Sequence, residues 1–431
     1  MTETTEKRKK NAHGPTVNAI KRAKFVAKQE RRRQALLEQQ KSSTVAPQKW
    51  QKWFNDDRKD YAAFISKEDV LRIRELKCKQ HQLTDKVCNA NDERLERIAS
   101  WIEPFFDLKG SYAAADKEER LFISEGTESV RLMVQRCDST CPPNTTTARA
   151  QQIEHENNIK QFNASPPPVR ILSILCKPST FFESPIRLID DVEKRISEEG
   201  APFKVVIGTE DALSEIAGFN IARGALACGV VPTYFQNHGY EWLLNRIRQK
   251  SRIRLLALDA VCDTANLGSI IRTAAALSID AIILSNDSCD AFYRQSVRVS
   301  MGHIISIPIL RVCDWRKGLH RDEDNNTLQN ESGGLPEFIA WLRDQMEIQC
   351  LAAVVGDNYD SQPTLSTLEA VMQRGESNQS CCCVVGNEGN GIRNEVVKEC
   401  NQRIKISMAT GIDSLSLPVA AAILMYGLSQ H

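Results

Sequence analysis

The sequence predicts an α/β protein of two domains behind a basic tail. Three observations carry that reading. The chain has 431 residues, more than one hydrophobic core usually holds, so two domains plus tails are expected. Near-continuous apolar runs such as Arg254-Leu255-Leu256-Ala257-Leu258 mark parallel strands covered on both faces. These runs alternate with helical periodicity, once over about residues 117–231 and again from Ile253 onward.

Composition narrows the class. A hydrophobic fraction of 42% with 26% charged residues fits a globular protein with real cores. No apolar run reaches the ~18 residues of a membrane-spanning helix, so no membrane association is expected. No secretory apolar region follows Met1, and Glu3 and Glu6 weigh against a transit peptide without deciding the organelle question. The fourteen cysteines include no CxxC pair, and three are consecutive, Cys381 to Cys383. That is no disulfide framework; it fits a reducing, intracellular compartment, cytoplasm or nucleus. Cys137 and Cys141 have no His partner nearby, so no metal is expected. The net charge of +1 hides an asymmetry. Residues 1–33 hold eleven Lys and Arg against three Glu, a net of +8, which leaves about −7 elsewhere. A basic tail on an acidic body suits a polyanion, or is simply a solvated leader.

In chain order, residues 1–66 are read as a largely disordered basic tail. Within it Trp50, Trp53 and Phe54 stand among Lys49, Lys52, Arg58 and Lys59. Such aromatics can stack on nucleotides while the bases meet phosphates; equally they can dock on the folded body. Residues 67–112 carry helical spacing through Val70, Ile73, Leu76, Leu95, Ile98 and Ile102 and are read as a helical segment. Residues 113–235 form the first α/β domain, interrupted by a Pro- and Thr-rich insertion at 137–168. A linker helix spans 236–250. Residues 251–431 form the second α/β domain, with a helix expected over Ser269 to Leu277 and a polar insertion at 318–334.

Three stretches of the second domain carry polar groups beside sharp turns. The first is Asp263-Thr264-Ala265-Asn266-Leu267-Gly268-Ser269-Ile270-Ile271-Arg272. Asn266 falls where a helix cap belongs. Arg272 sits among Ile and Ala, and an unpaired guanidinium is not buried there, so it faces a cleft or an acid. The second is Val385-Gly386-Asn387-Glu388-Gly389-Asn390-Gly391, in which three glycines let backbone groups approach a ligand; a plain strand-to-helix turn would look similar. The third runs from Ile404 to Met408 and on through Ser414-Leu415-Ser416. Either serine could do no more than cap the last helix.

In order, spacing and residue type, these stretches resemble the three motifs of the SpoU/TrmH family of RNA ribose 2′-O-methyltransferases, within the SPOUT class, over about residues 253–428. Around Glu125-Gly126 and Ala222-Arg223-Gly224 the chain is similar to the family's accessory RNA-binding domain, which has a ribosomal-protein-like α/β fold. The resemblance implies a C-terminal parallel sheet with a deep trefoil knot. Knots are nearly absent from proteins, so composition could not suggest one. It implies S-adenosylmethionine as cofactor, held mostly by backbone groups, with Gly386, Ile406 and Leu415 at the cofactor and Met408 and Gly391 beside it. Asn266, Arg272, Glu388, Ser414 and Ser416 take the catalytic positions, and Arg298 and Arg223 take positions near RNA. Structured RNA, tRNA or rRNA, is the implied substrate, and a homodimer the implied assembly. The reaction needs a ribose 2′-hydroxyl held in line with a reactive methyl group, where positioning can be worth roughly 7–11 kcal/mol. The resemblance leaves open whether Arg272 takes the proton itself or with the target phosphate's help.

Two departures stand out. Ser407 replaces a usual Pro, which would loosen a strand end, and Ser416 replaces a usual Asn, which removes an amide from the cleft. The second supports an alternative: a catalytically weakened or inactive knotted RNA-binding protein.

Overall fold

The computed structural model of the chain describes residues 48–54, 56–80, 90–106, 108, 120–137, 169–200, 203–221, 224–232, 234–313, 334–355, 364–373, 379–412 and 414–429. Two sheets organise them.

The first sheet has five strands, in the order β1 (Ala62–Ile65), β4 (Lys204–Gly208), β3 (Ile171–Cys176), β5 (Ala225–Val230) and β2 (Leu121–Glu125). The first three run parallel, and β5 and β2 pair antiparallel. Successive residues point to opposite faces, and both faces are covered. Val206 faces α1 (Lys67–Gln80), α2 (Ala90–Ile102) and α5 (Glu210–Ala217), packing with Ile73, Ile98 and Leu213. Val205 and Ile207 face α3 (Thr127–Gln135) and α4 (Leu188–Glu199), packing with Met133 and Val192.

This sheet corrects the expected boundaries. Ala62–Ile65, assigned to the tail, is an edge strand in register with Val205–Gly208 of β4. The helices of residues 67–102, read as a separate segment, form one layer of the same domain. Four residues buried on both sides show no periodicity, so β1 is fixed by its tertiary partners rather than by local pattern. The aromatics upstream dock on the body. Trp53 is buried, stacks edge-on with Phe181 at 4.9 Å, and donates from Nε1 to Glu193 at 3.1 Å. Residues 1–47 and 138–168 lie outside the described residues.

The second sheet is wholly parallel, in the order β10 (Leu365–Thr367), β12 (Gln402–Lys405), β9 (Gln349–Ala353), β11 (Cys381–Val385), β6 (Arg254–Leu258), β7 (Ala281–Leu284) and β8 (Ile309–Arg311). α6 (Tyr234–Gln249), α9 (Leu335–Met346) and α11 (Asn394–Glu399) cover one face, where Trp242, Phe338 and Val396 meet Leu255 and Cys382. α7 (Thr264–Ala276), α10 (Leu368–Gln373) and α12 (Leu417–Ser429) cover the other, where Ile271, Val371 and Leu424 meet Leu256, Cys381 and Cys383. The cysteine run is thus a central strand. Burial pushes the Cys381 thiol up to about 11, which keeps it an unreactive small hydrophobe at neutral pH. Among the described residues, no helix is long and apolar enough to cross a membrane.

Candidate functional site

The site forms at the C-terminal ends of β6, β11 and β12, where parallel strands deliver their loops to one edge. Its first part is the start of α7. The helix begins at Thr264, one turn earlier than expected, because Asp263 is the cap. Its carboxylate accepts from Ala265 N at 2.7 Å and Asn266 N at 2.8 Å. Asn266 therefore lies inside the first turn and is not the cap. Its side chain is free to leave the helix, and Nδ2 donates to Glu388 Oε1 at 2.7 Å. That bond joins two residues 122 positions apart. Gly268 is needed for packing: a Cβ there would lie 2.6 Å from Ser296 O of α8 (Arg294–Val299).

Arg272 lies six residues beyond Asn266, about 9 Å along the helix and roughly 120° around it. It is exposed, with no hydrogen bond or ion pair among the described residues. It does not contact Glu388. His303, in the 3₁₀ turn His303–Ile305 packed on α7, is its titratable neighbour.

The second part is the turn after β11. Gly386 is buried because its Cα abuts the returning chain, and a Cβ would lie 2.1 Å from Gly391 C. Asn387 and Gly391 exchange backbone hydrogen bonds of 3.0 and 2.9 Å. The Asn387 side chain donates to Ala260 O and accepts from Gly389 N and Asn390 N. Below them, the fully buried Asp259 accepts from Arg393 N and Nε, each at 2.9 Å. Those hydrogen bonds, more than the accompanying charge attraction, hold the Arg393 guanidinium above its ordinary pKa. Asp259, Asn387 and Arg393 form a rigid frame that presents Glu388 and the peptide edges of the turn. Sequence reading missed them. Asp259 was detectable as an acid closing an apolar strand, and Asp263 as the better cap one turn upstream.

The third part follows β12. Ile406 and Met408 are half-buried, and Ser414, Leu415 and Ser416 are exposed. Ser416 O accepts from Val419 N and Ala420 N at 3.0 Å, so this residue opens α12; its hydroxyl makes no bond among the described residues. The Ser407 hydroxyl donates to Glu369 Oε2 of α10 at 3.0 Å. Arg298 is half-exposed, with Nε 3.9 Å from Glu125 Oε2 of the first domain. Arg223, with Ala222 and Asp413, lies outside the described residues. Of the expected site residues, Asn266 and Glu388 are thus joined by a side-chain hydrogen bond, and Gly386 and Gly391 are packed backbone against backbone.

A parallel α/β sheet with strand-end loops, a fixed Asn–Glu pair and an Arg with no partner among the described residues does not match a dinucleotide fold, whose glycine turn would follow the first strand. The profile of the SpoU rRNA Methylase family matches residues 254–426. An uncharacterized tRNA/rRNA methyltransferase of Mycobacterium tuberculosis is 31% identical over 258 residues, covering 60% of this chain and 76% of that protein. The chain belongs to the SpoU methylase family. A 23S rRNA (guanosine-2′-O-)-methyltransferase of Haemophilus ducreyi is 26% identical over 209 residues, 48% of this chain and 72% of that protein. The crystal structure of an AdoMet-bound rRNA methyltransferase from Sinorhizobium meliloti superposes with a TM-score of 0.46 at 19% identity, over 85% of this chain and 97% of that one.

Proposed function

We propose that the protein transfers a methyl group from S-adenosylmethionine to a ribose 2′-hydroxyl of structured RNA. The observation that carries this is the Asn266–Glu388 hydrogen bond on the same helix as an exposed Arg272 that has no partner among the described residues. Glu388 takes one amide hydrogen of Asn266 and so fixes which way the amide faces, leaving its oxygen to accept a ribose hydroxyl. Arg272 supplies a fork of donors suited to the 2′-oxygen and its neighbouring phosphate. Ser414 and Ser416 add exposed hydroxyls at the rim.

The residues present fit the cofactor. Beyond β12, Ile412 and Leu415 are 55% and 37% exposed, apolar surface of the kind an adenine ring covers. Gly386, Gly391, Ile406 and Met408 would supply backbone and apolar contacts around it. Bound there, S-adenosylmethionine would supply an electrophilic methyl group. The chain's own part is to orient the hydroxyl, hold its proton's destination and exclude water.

The order β12-β9-β11-β6, with α12 returned onto α7 and β11, supports reading the C-terminal sheet as a deep trefoil knot. The exposed apolar stripe Val419, Ile423 and Tyr426 on α12 supports a homodimer through that helix. The first domain is the RNA-binding module, with Arg298 at its border, and the compartment is intracellular. The test is transfer of labelled methyl from S-adenosylmethionine to RNA from cells lacking the protein. Arg272→Ala should abolish transfer while cofactor binding by calorimetry survives. Full activity of this variant sinks the assigned role. Cofactor binding with no transfer by the unaltered chain favours the inactive RNA-binding alternative that Ser416 suggests.

A further inference from the structure

The two domains meet along a seam where Glu125 and Asp290 are already matched by arginines of the other domain. Glu125 is buried against Arg294 and Arg298, at 3.3 and 3.9 Å. Asp290 pairs with Arg120 across the seam, and within the first domain Arg131 lies 2.8 Å from Asp191 and 3.9 Å from Glu128. Three basic groups are left over. Arg136, at the C-terminal end of α3, sends Nη1 across the seam to Ile305 O at 3.3 Å and has no carboxylate partner among the described residues. Arg272 comes from α7, and His303 sits in the turn that packs on both α7 and α3.

The backbone holds this arrangement from both sides. Gly302 has φ +80°, and a Cβ there would come 3.0 Å from Ser129 Cα of α3. The turn bearing His303 is thereby pressed on the first domain while it packs on α7. Gathering two guanidinium groups around one imidazole without an anion is unfavourable unless an anion arrives.

We infer that Arg136, Arg272 and His303 form a clamp for an RNA phosphodiester, built across the domain seam. The inference rests on the RNA reading above and adds a site to it. Guanidinium forks suit a phosphate's two free oxygens. The clamp also couples the domains, because one phosphate would touch both. The groups facing His303 are Arg272 from α7 and Arg136 from α3; Glu128 of α3 and Arg298 of α8 are occupied by Arg131 and Glu125. Burial first, then those two cations, hold the imidazole below its ordinary pKa. A bound phosphate reverses that push, so binding should take up a proton.

The probe is a fluorescein-labelled single-stranded RNA of about a dozen nucleotides, followed by anisotropy over a salt and pH series. Arg136→Met should lower the logarithmic salt slope by about 0.7, the value of one phosphate contact on a single strand, and Arg136→Lys should restore most of it. Wild-type affinity should rise as pH falls from 8 to 6, about tenfold for each pKa unit gained on binding. His303→Gln should remove that rise even if Arg136→Met folds poorly. An unchanged slope in folded Arg136→Met, or an unchanged pH profile in His303→Gln, overturns the clamp. Failure of the wild-type chain to bind this RNA overturns it too. Methyl transfer to cellular RNA is measured separately, so the function reading stands or falls on its own assay.

Discussion

Gly386→Ala is the sharpest test of how the turn after β11 is built. A Cβ at this position would lie 2.1 Å from Gly391 C, 2.3 Å from Gly391 O and 2.3 Å from Ile392 N. All three are backbone atoms, locked by the Asn387–Gly391 hydrogen-bond pair and by Arg393 on the buried Asp259. No side chain can rotate to make room, so the turn must open. Overpacking costs about 1–3 kcal/mol, and losing two backbone bonds adds about 1 kcal/mol each. A loss of about 3–5 kcal/mol should lower the melting temperature by roughly 10 °C in a domain of this size. Calorimetry should show weaker S-adenosylmethionine binding as well. Gly389→Ala is the control, since its nearest neighbour is Asn387 Oδ1 at 3.5 Å, an ordinary contact; its melting temperature should stay within about 2 °C of wild type. Wild-type melting and cofactor affinity in Gly386→Ala would refute the reasoning.

Asn266→Ala and Glu388→Ala should each reduce kcat, and the double variant should lose little more than the worse single, because the two side chains act as one unit; additive losses would separate them. Stability should fall with pH through His303. Its folded pKa lies below the unfolded value of about 6.5, so its contribution is complete above that value and is lost as pH falls through the folded one. Denaturant titrations should show that slope in wild type and a flatter one in His303→Gln. Val419→Asp, on the exposed stripe of α12, should shift the molecular mass in light scattering from dimer to monomer; an unchanged mass argues against that interface.

What was legible in the sequence follows the range of the forces involved. The central strands β6 and β11 could be read because burial on both faces leaves a continuous apolar run in the chain itself. β1 could not: Ala62–Ile65 is four residues long and is a strand only because β4 lies beside it. β10 and α10 escaped in the same way, as elements of three and six residues. The cap of α7 shows a finer limit. Asp263 and Asn266 are both good caps, three residues apart, and local preference does not choose between them. The fold chooses, because Asn266 is used by Glu388. That single competition moved the helix start by a turn and placed Arg272 deeper along α7, away from Glu388. Motif spacing singled out Asn266 and Glu388 separately, and only the fold shows that the two are joined. Glu388 orients Asn266, and the neighbour of Arg272 is His303, a residue no motif singled out.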